Sequence, residues 1–381
     1  MRATNLFRNL LPRPIKDAVR PYVALYREQK SLRQRPSAAA LAPSQCKVQP
    51  QRDDLPAIGR SGIYEVDPNS SEFQRILNEH WYYSIELKPG VFTRGYEFPN
   101  VMCTRELLAR LVPSGLDVCD IGTMEGLIPV LLKRRGARSV VALDGIDLTE
   151  RVQLVRVCTG QNFDYIPNVP LGRVTQVLSE RARPTWWGTK LRRGFDVVVL
   201  SGVLYHVFSP FHAIGLARTL LRQRGLLILE TAASDQDVYA QNWVFQGDRW
   251  IYPNGTNTWF PTLRLLDHFL RFMKLKPVDC VHKRDHADIV RVAVAAVATA
   301  DPLPLKAESE WFIQSTMNLD YNEVVDTAWA EGDPIEIPYR ACDCVNQEGL
   351  SAAVDLHRTV RECPGLADDR NKIVLRLADQ T

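Results

Sequence analysis

The 381-residue chain lacks any run of about 18 uncharged apolar residues, so no helix that crosses a bilayer is expected. Net charge is scarce as well. Forty-seven Lys and Arg stand against 44 Asp and Glu, leaving +3, and so small an excess makes no case for DNA or another polyanion as the main partner. Paired cysteine motifs are missing. Of eight cysteines only Cys342 and Cys344 lie close together, and one C-x-C without a second pair or a suitably spaced His excludes the usual zinc frameworks. Scattered thiols fit a reduced, cytoplasmic protein. Arg2, Arg8 and Arg13 interrupt the apolar residues at the amino end, so no secretory signal is expected. There is no internal repeat, no G-x-G-x-x-G turn, and no Lys-Ser/Thr after a glycine-rich turn to hold a triphosphate. His282 and His286 are four apart, but Lys283–Asp288 reads as a hairpin turn, not a helix, and no metal site is expected there.

What remains is ordinary soluble material, 45% hydrophobic and 24% charged, and long enough for one large domain with extensions or for two domains. Charge is uneven along the chain. Residues 1–60 hold twelve Lys/Arg against four Asp/Glu, and residues 301–381 hold seven against sixteen. The opposed ends either touch each other or serve as separate docking sites.

Residues 116–144 are the most informative stretch. Leu116–Cys119 reads as a buried strand with Asp120 at its carboxyl end. Gly122–Gly126 forms a tight turn, Leu127–Arg135 a helix, and Val140–Leu143 a second strand closed by Asp144. This strand–turn–helix–strand unit places a nucleotide at the carboxyl ends of parallel strands. Its D-x-G-x-x-x-G turn fits the methionine half of S-adenosylmethionine, and an acid after the second strand can accept both ribose hydroxyl protons.

The expected organisation is a basic arm and linker over 1–60, an α/β domain over 61–300, and an acidic extension over 301–381. In the arm, Leu6, Phe7, Leu10, Leu11, Ile15, Val19 and Val23 lie among basic residues and prolines. They read either as helices resting on a membrane surface or partner, or as an arm packed on its own protein. Helices are expected at Glu72–Trp81, Thr104–Leu111, Pro210–Leu221 and Thr262–Leu275. Strands are expected at Asp164–Ile166, Phe195–Ser201, Gly225–Glu230, Val278–His282 and Ile289–Val297. Residues 171–193 read as an inserted helical segment, Leu350–Val360 as helical, and Ile373–Leu377 as a last strand. Alternation of strand and helix implies a mostly parallel, Rossmann-like sheet. The short link Lys283–Asp288 makes the last two sheet strands an antiparallel hairpin, which separates a methyltransferase sheet from a dehydrogenase one.

Three further segments stand out: Trp81–Leu87 with Pro89-Gly90 and Thr93-Arg94-Gly95; Gly202-Val203-Leu204-Tyr205-His206 with Ser209-Pro210; and Asn254–Pro261. With the first turn they resemble the class I S-adenosylmethionine-dependent methyltransferases related to the tRNA wobble-uridine carboxymethyl and methoxy enzymes. The resemblance spans roughly residues 72–300, and G-V-L-Y-H is its most specific element. It implies that Asp120, Gly122, Thr123 and Gly126 line the methionine end, that Asp144 takes the ribose, and that Ser201 and Gly202 face the methyl-bearing sulfur. Thr123-Met124 departs from the small residues many members carry there. No acid follows the third strand to meet the adenine amino group, which leaves Asn168 or a backbone group. The carboxymethyl branch uses a lysine ahead of the first strand. Between Gly95 and Asp120 this chain has Arg105 and Arg110 but no lysine.

The reading is therefore a cytoplasmic methyltransferase using S-adenosylmethionine on a small-molecule or sugar acceptor, at oxygen; the alternative is methyl or carboxymethyl transfer to the wobble uridine of tRNA. A third reading is a binding subunit that keeps only the fold. His206 is the candidate base, with Tyr205 beside it, or else both hold the loop. Trp81 and Tyr83 either cover the site or anchor the core. Asn257 and Trp259 shape the acceptor pocket or pin a helix start, and Glu230 is a pocket acid or a satisfied buried carboxylate.

Overall fold

Long runs of buried β-branched and small apolar residues build the centre of the molecule. In the computed structural model, Phe195–Ser201 and Ile289–Ala298 are buried at every position, the pattern of strands covered on both faces. The structure describes residues 70–95, 99–181, 194–207, 209–243, 245–246, 249–250, 259–285, 289–299 and 335–366. All of them belong to one compact unit, residues 63–381.

In chain order the strands are β1 Glu86–Lys88, β2 Val91–Phe92, β3 Asp117–Ile121, β4 Ser139–Leu143, β5 Asp164–Ile166, β6 Phe195–Ser201, β7 Leu221–Ser234, β8 Gln241–Trp243, β9 Phe245–Gln246, β10 Arg249–Trp250, β11 Trp259–Pro261, β12 Leu275–Arg284 and β13 Ile289–Ala298. The helices are α1 Ser71–Asn78, α2 Pro99–Ala109, α3 Leu127–Arg134, α4 Thr149–Thr159, α5 Val174–Arg181, α6 Pro210–Leu220, α7 Leu263–Phe272 and α8 Leu356–Glu362. Seven strands form one sheet in the order β12-β13-β7-β6-β3-β4-β5. Neighbours from β7 to β5 are parallel, and β13 runs antiparallel to both β7 and β12. This is the class I methyltransferase sheet, with the terminal hairpin that the short 283–288 link requires. From β3 the chain winds outward through β4 to β5, then returns to β6 and winds the other way. The switch point, where ligands bind in such sheets, therefore lies at the carboxyl ends of β3 and β6.

Local chemistry sets the element ends. Pro210 starts α6 behind Ser209, whose hydroxyl accepts the His212 amide at 3.3 Å. Thr262 caps α7 by accepting from Leu265 N at 3.3 Å, and Asp355 caps α8 by accepting from Arg358 N at 2.9 Å. The α8 cap explains why the helical stretch expected from Leu350 begins only at Leu356. β7 is much longer than Gly225–Glu230, because it pairs with β13 from Leu226 to Ser234. α2 starts five residues earlier than Thr104, at Pro99, whose fixed φ suits a helix start. Of the inserted segment 171–193, the structure describes a short 3₁₀ turn at Leu171–Arg173 and α5; Trp186 and Trp187 lie outside the described residues, as do residues 1–69, the strand expected at Ile373–Leu377, and His286.

Residues 335–366 share the core with the sheet. Ile337 and Tyr339 pack in the cluster containing α2, while Val354, Leu356 and Val360 pack in the cluster containing α7. A cavity of about 940 Å³ opens among Arg110, Arg224, Lys276, Glu336 and Tyr339. It lies at the amino ends of the parallel strands, away from the switch point. No described helix is long and apolar enough to cross a membrane.

Candidate functional site

β3 delivers Asp120 to the switch point, and the turn after it is built for close approach. Gly122 and Gly126 adopt φ of +79° and +89°, values that favour glycine. Gly122 N and Thr123 N donate to Leu143 O at 2.8 and 3.1 Å, tying the turn to the tip of β4. A Cβ on Gly122 would clash with Val203 Cγ2. We predict that Gly122→Ala costs about 1–3 kcal/mol of stability through backbone strain and weakens cofactor binding at least about tenfold, the 1.4 kcal/mol equivalent. Thermal melts and titration calorimetry check both. Val203→Ala in the same chain should restore part of the affinity, because it removes the clash but not the strain.

Around this turn the structure gathers three carboxylates. Asp120 is 1% exposed, and its Oδ2 is buried without a hydrogen-bond partner. Burial pushes its carboxyl up to about 7; the Thr123 hydroxyl beside it offsets part of that rise, and the Asp144 charge adds to it. Thr123 Oγ1 itself is buried with no bond of good geometry. Glu125, fully buried, accepts the Tyr82 amide at 2.7 Å through Oε1, while its Oε2 has no partner. Arg151 stands 3.4 Å from the same Oε1. Asp144 accepts from Met124 N at 2.7 Å through Oδ2 and from Ile146 N at 3.0 Å through Oδ1. These amides fix its plane and leave one lone pair on each oxygen for other donors. Burial raises both Glu125 and Asp144 above the usual carboxylate range, against the pull of those amides. Three buried acids with two unmatched oxygens want a cationic ligand rich in N–H and O–H donors. S-adenosylmethionine carries an ammonium, a sulfonium and ribose hydroxyls, and the residues present fit it.

A second group lies on the same sheet face across β6, β7 and β13. Ser201 pairs in register with Glu230, and Glu230 with Ala293, which places Arg291 diagonally beside Glu230. The guanidinium donates from Nε to Glu230 Oε1 and from Nη2 to Glu230 Oε2, both at 2.8 Å. Nη2 also donates to the Tyr205 hydroxyl at 3.2 Å, and the guanidinium lies 4.6 Å from the Tyr205 ring centre. Burial raises the Glu230 carboxyl, and Arg291 opposes that rise. Glu230 is thus a satisfied buried carboxylate at the edge of the site, rather than an acid open to a ligand. Ser201 Oγ and Thr104 Oγ1 share a hydrogen bond of 2.7 Å, which joins β6 to α2. Gly202 N donates to Glu230 O at 3.1 Å.

The remaining expected residues separate. Tyr205 is buried and His206 exposed, on one 3₁₀ turn with ring centres 4.4 Å apart. Trp81 is 0% exposed, packed in the core with Arg151 over its face. The core-anchor reading replaces the covering one for Trp81, because a fully enclosed indole presents no surface to a ligand. Tyr83 is 5% exposed and packs edge-on against Tyr82. Trp259 lies half-buried on β11, paired to Trp243 of β8. Asn257 lies outside the described residues. Asn168 holds a φ of +57° and donates to Asp147 Oδ2 at 3.3 Å, which keeps its amide in the loop after β5. Sequence reasoning missed Arg291, Glu125 and Tyr82. The signal for Arg291 was a lone charge inside the apolar run 289–298, unusual enough to demand a buried partner.

A model of the methyltransferase domain family matches residues 98–271. The chain carries a class I methyltransferase domain. The domain is 30% identical, over 172 residues, to a tRNA U34 carboxymethyltransferase of Ectopseudomonas mendocina, covering 44% of this chain and 47% of that protein. It is also 30% identical, over 186 residues, to a ubiquinone biosynthesis O-methyltransferase of Cereibacter sphaeroides, covering 46% of this chain and 66% of that one. The chain thus spans about half the length of the carboxymethyltransferases it matches. Among solved structures, the N-terminal domain of EvdMO1 with SAH bound matches with a TM-score of 0.43 and 18% identity, over 60% of this chain and 96% of that domain.

Proposed function

We propose that this chain transfers a methyl group from S-adenosylmethionine to an oxygen of a small-molecule or sugar acceptor. The observation that carries the reading is the pair of unmatched buried oxygens, Asp120 Oδ2 and Glu125 Oε2, at a glycine turn on the switch point. Asp120 would meet the methionine ammonium, Asp144 the ribose hydroxyls, and Gly122 and Gly126 let the backbone close on both, with Thr123 beside them. Ser201 and Gly202, at the tip of β6, border the reacting end. The cofactor supplies the electrophilic methyl.

The protein then has two tasks. Alignment of acceptor and methyl is the larger, supplying about 7–11 kcal/mol of the barrier when the geometry is right. Removing the acceptor's hydroxyl proton is the other, and His206 is the residue for it. Its exposed imidazole packs on buried Tyr205, can take a proton at one ring nitrogen, and can release it to water. Tyr205, held by Arg291, fixes the turn that carries His206. We predict that His206→Ala lowers turnover by about 10²–10⁴-fold while cofactor affinity stays within about twofold, a few tenths of a kcal/mol. Steady-state rates and calorimetry are the measurements; loss of cofactor binding would place His206 in the cofactor shell instead.

Unmodified cofactor is favoured over a carboxylated one. Glu230 already neutralises Arg291 at the strand tips, and no lysine lies between Gly95 and Asp120. Calorimetry with both compounds tests this: micromolar binding of S-adenosylmethionine is expected, and tighter binding of the carboxylated form would favour the tRNA reading. That second reading draws on the relatives named tRNA U34 carboxymethyltransferase. It requires RNA binding that falls steeply with salt and turnover stimulated by tRNA.

A further inference from the structure

We infer that Cys342 and Cys344 are an oxidisable dithiol that closes into a reversible disulfide by exchange with a small-molecule disulfide of the glutathione type. The two Sγ atoms lie 2.7 Å apart. A tetrahedral thiolate metal site separates its sulfurs by roughly 3.8 Å, given metal–sulfur bonds near 2.3 Å, whereas a disulfide brings them to about 2.05 Å. The observed separation is nearer the disulfide. No described group of three His, Cys, Asp or Glu has the geometry to hold a metal.

The loop that carries the pair is held firmly. Val345 N and Asn346 N donate to Cys342 O at 2.9 and 2.8 Å, closing a turn around Cys344. Cys342 N donates to the buried Asp279 Oδ2 at 3.2 Å, which also receives Arg110 and the Tyr339 hydroxyl, each at 2.7 Å. Asn346 Nδ2 donates to Val278 O at 2.9 Å and so ties the far end of the turn to β12. Neither sulfur needs a large backbone movement to reach the other. A third thiol adjoins the pair: Cys363, ending α8, donates to Cys344 O at 3.1 Å.

Accessibility separates these thiols from the other described ones. Cys344 is exposed, and Cys342 and Cys363 are half-buried. Cys103, Cys119, Cys158 and Cys280 are buried, and burial raises their thiols. Within the pair, the hydrogen bond to Cys342 pushes the Cys344 thiol up to about 11. Either sulfur can donate in the hydrogen bond they share, and Cys344 is the more exposed of the two.

One thiol of the pair loses its proton and attacks one sulfur of the oxidant RSSR. A mixed disulfide, Cys–S–S–R, forms, the S–S bond of the oxidant breaks, and the first RS⁻ leaves and takes up a proton. The second thiol then loses its proton and attacks the cysteine sulfur of the mixed disulfide, expelling the second RS⁻, which is likewise protonated. The two cysteines give up two electrons and two protons, and RSSR becomes two RSH. A reducing compartment keeps the pair as the dithiol seen here, and oxidising conditions close it.

The full chain, incubated with excess oxidised glutathione at neutral pH, then alkylated, digested and analysed by mass spectrometry, tests the inference. We expect the peptide with Cys342 and Cys344 to lose two hydrogens and escape alkylation, and dithiothreitol to restore both thiols. Cys344→Ser should instead trap glutathione on Cys342 or crosslink Cys342 to Cys363. Full alkylation of Cys342 and Cys344 in the oxidised wild-type chain would overturn the proposal. So would stoichiometric zinc in the purified protein that disappears in Cys344→Ser.

Discussion

Asp120→Asn should abolish useful cofactor binding and at the same time make the ligand-free protein more stable. The carboxyl lies buried at the end of β3 with Oδ2 unmatched, and burial pushes it up to about 7. A carboxyl raised in the folded state binds its proton more readily there than in the unfolded chain. Its favourable contribution to folding is therefore complete below the ordinary carboxylate value and is lost as pH rises through about 7. Asparagine removes that loss, so the variant should melt higher than wild type above neutral pH, with the gap closing as pH falls toward the ordinary carboxylate value. Binding moves the other way. The ammonium of the cofactor needs the ionised carboxylate, so wild-type affinity should fall about tenfold per pH unit below neutrality, with proton release on binding near pH 7. Asparagine should cost about 100-fold, the 2.7 kcal/mol expected of a buried charge-assisted hydrogen bond, and should erase the pH dependence. Calorimetry across pH, paired with thermal melts, decides the matter. An Asp120→Asn chain that binds as tightly as wild type would refute the assignment of Asp120 to the ammonium.

Arg291→Met should be the most damaging substitution to stability among the site residues. It strands Glu230, which is 0% exposed and takes two hydrogen bonds from the guanidinium. Removing one member of a buried pair typically costs about 3–5 kcal/mol. Arg291 holds the Glu230 carboxyl down, so without it the carboxyl titrates higher still. The deficit should shrink in acid, where Glu230 is neutral in folded and unfolded chains alike, and grow as pH rises through its raised folded value. Glu230→Met added to Arg291→Met should recover much of the loss, because a packed apolar pair replaces the ionic one at similar volume. Urea denaturation at acid and alkaline pH measures all of this. A single variant within about 1 kcal/mol of wild type, the ordinary size of a surface effect, would show that the pair is not the structural centre described here. Activity should fall with stability, because Tyr205 loses both the hydrogen bond to its hydroxyl and the cation over its ring.

Much of the candidate site lies in one legible stretch of sequence. Asp120, Gly122, Gly126 and Asp144 belong to one continuous stretch, where the strand end, the turn and the next strand end follow each other within 25 residues. Phe195–Ser201 and Asp164–Ile166 appear as strands over the same residues the sequence marks out, since such short apolar segments between breakers have few other solutions. Helix ends were less legible. α7 stops at Phe272, before Lys274 takes a φ of +54°, and nothing in the local pattern announces that turn. Trp81 illustrates a different limit. A Trp-Tyr-Tyr run suits a covering flap or a core anchor equally well, and only packing beneath Arg151 separates them.

Local order in the chain determined the individual strands and helices and the glycine turn, because hydrophobic periodicity and glycine placement act over a few residues. Only the tertiary structure could decide the charged machinery around that turn. Arg291 and Glu230 are 61 residues apart and Arg291 and Tyr205 are 86 apart. They meet because β13 enters the sheet antiparallel beside β7 in one register that puts Arg291 diagonal to Glu230. Glu125 likewise finds the Tyr82 amide 43 residues earlier in the chain. A lone charge in an apolar strand says that a partner must exist; which partner it is depends on strand order and register, and these are settled only when the whole core closes.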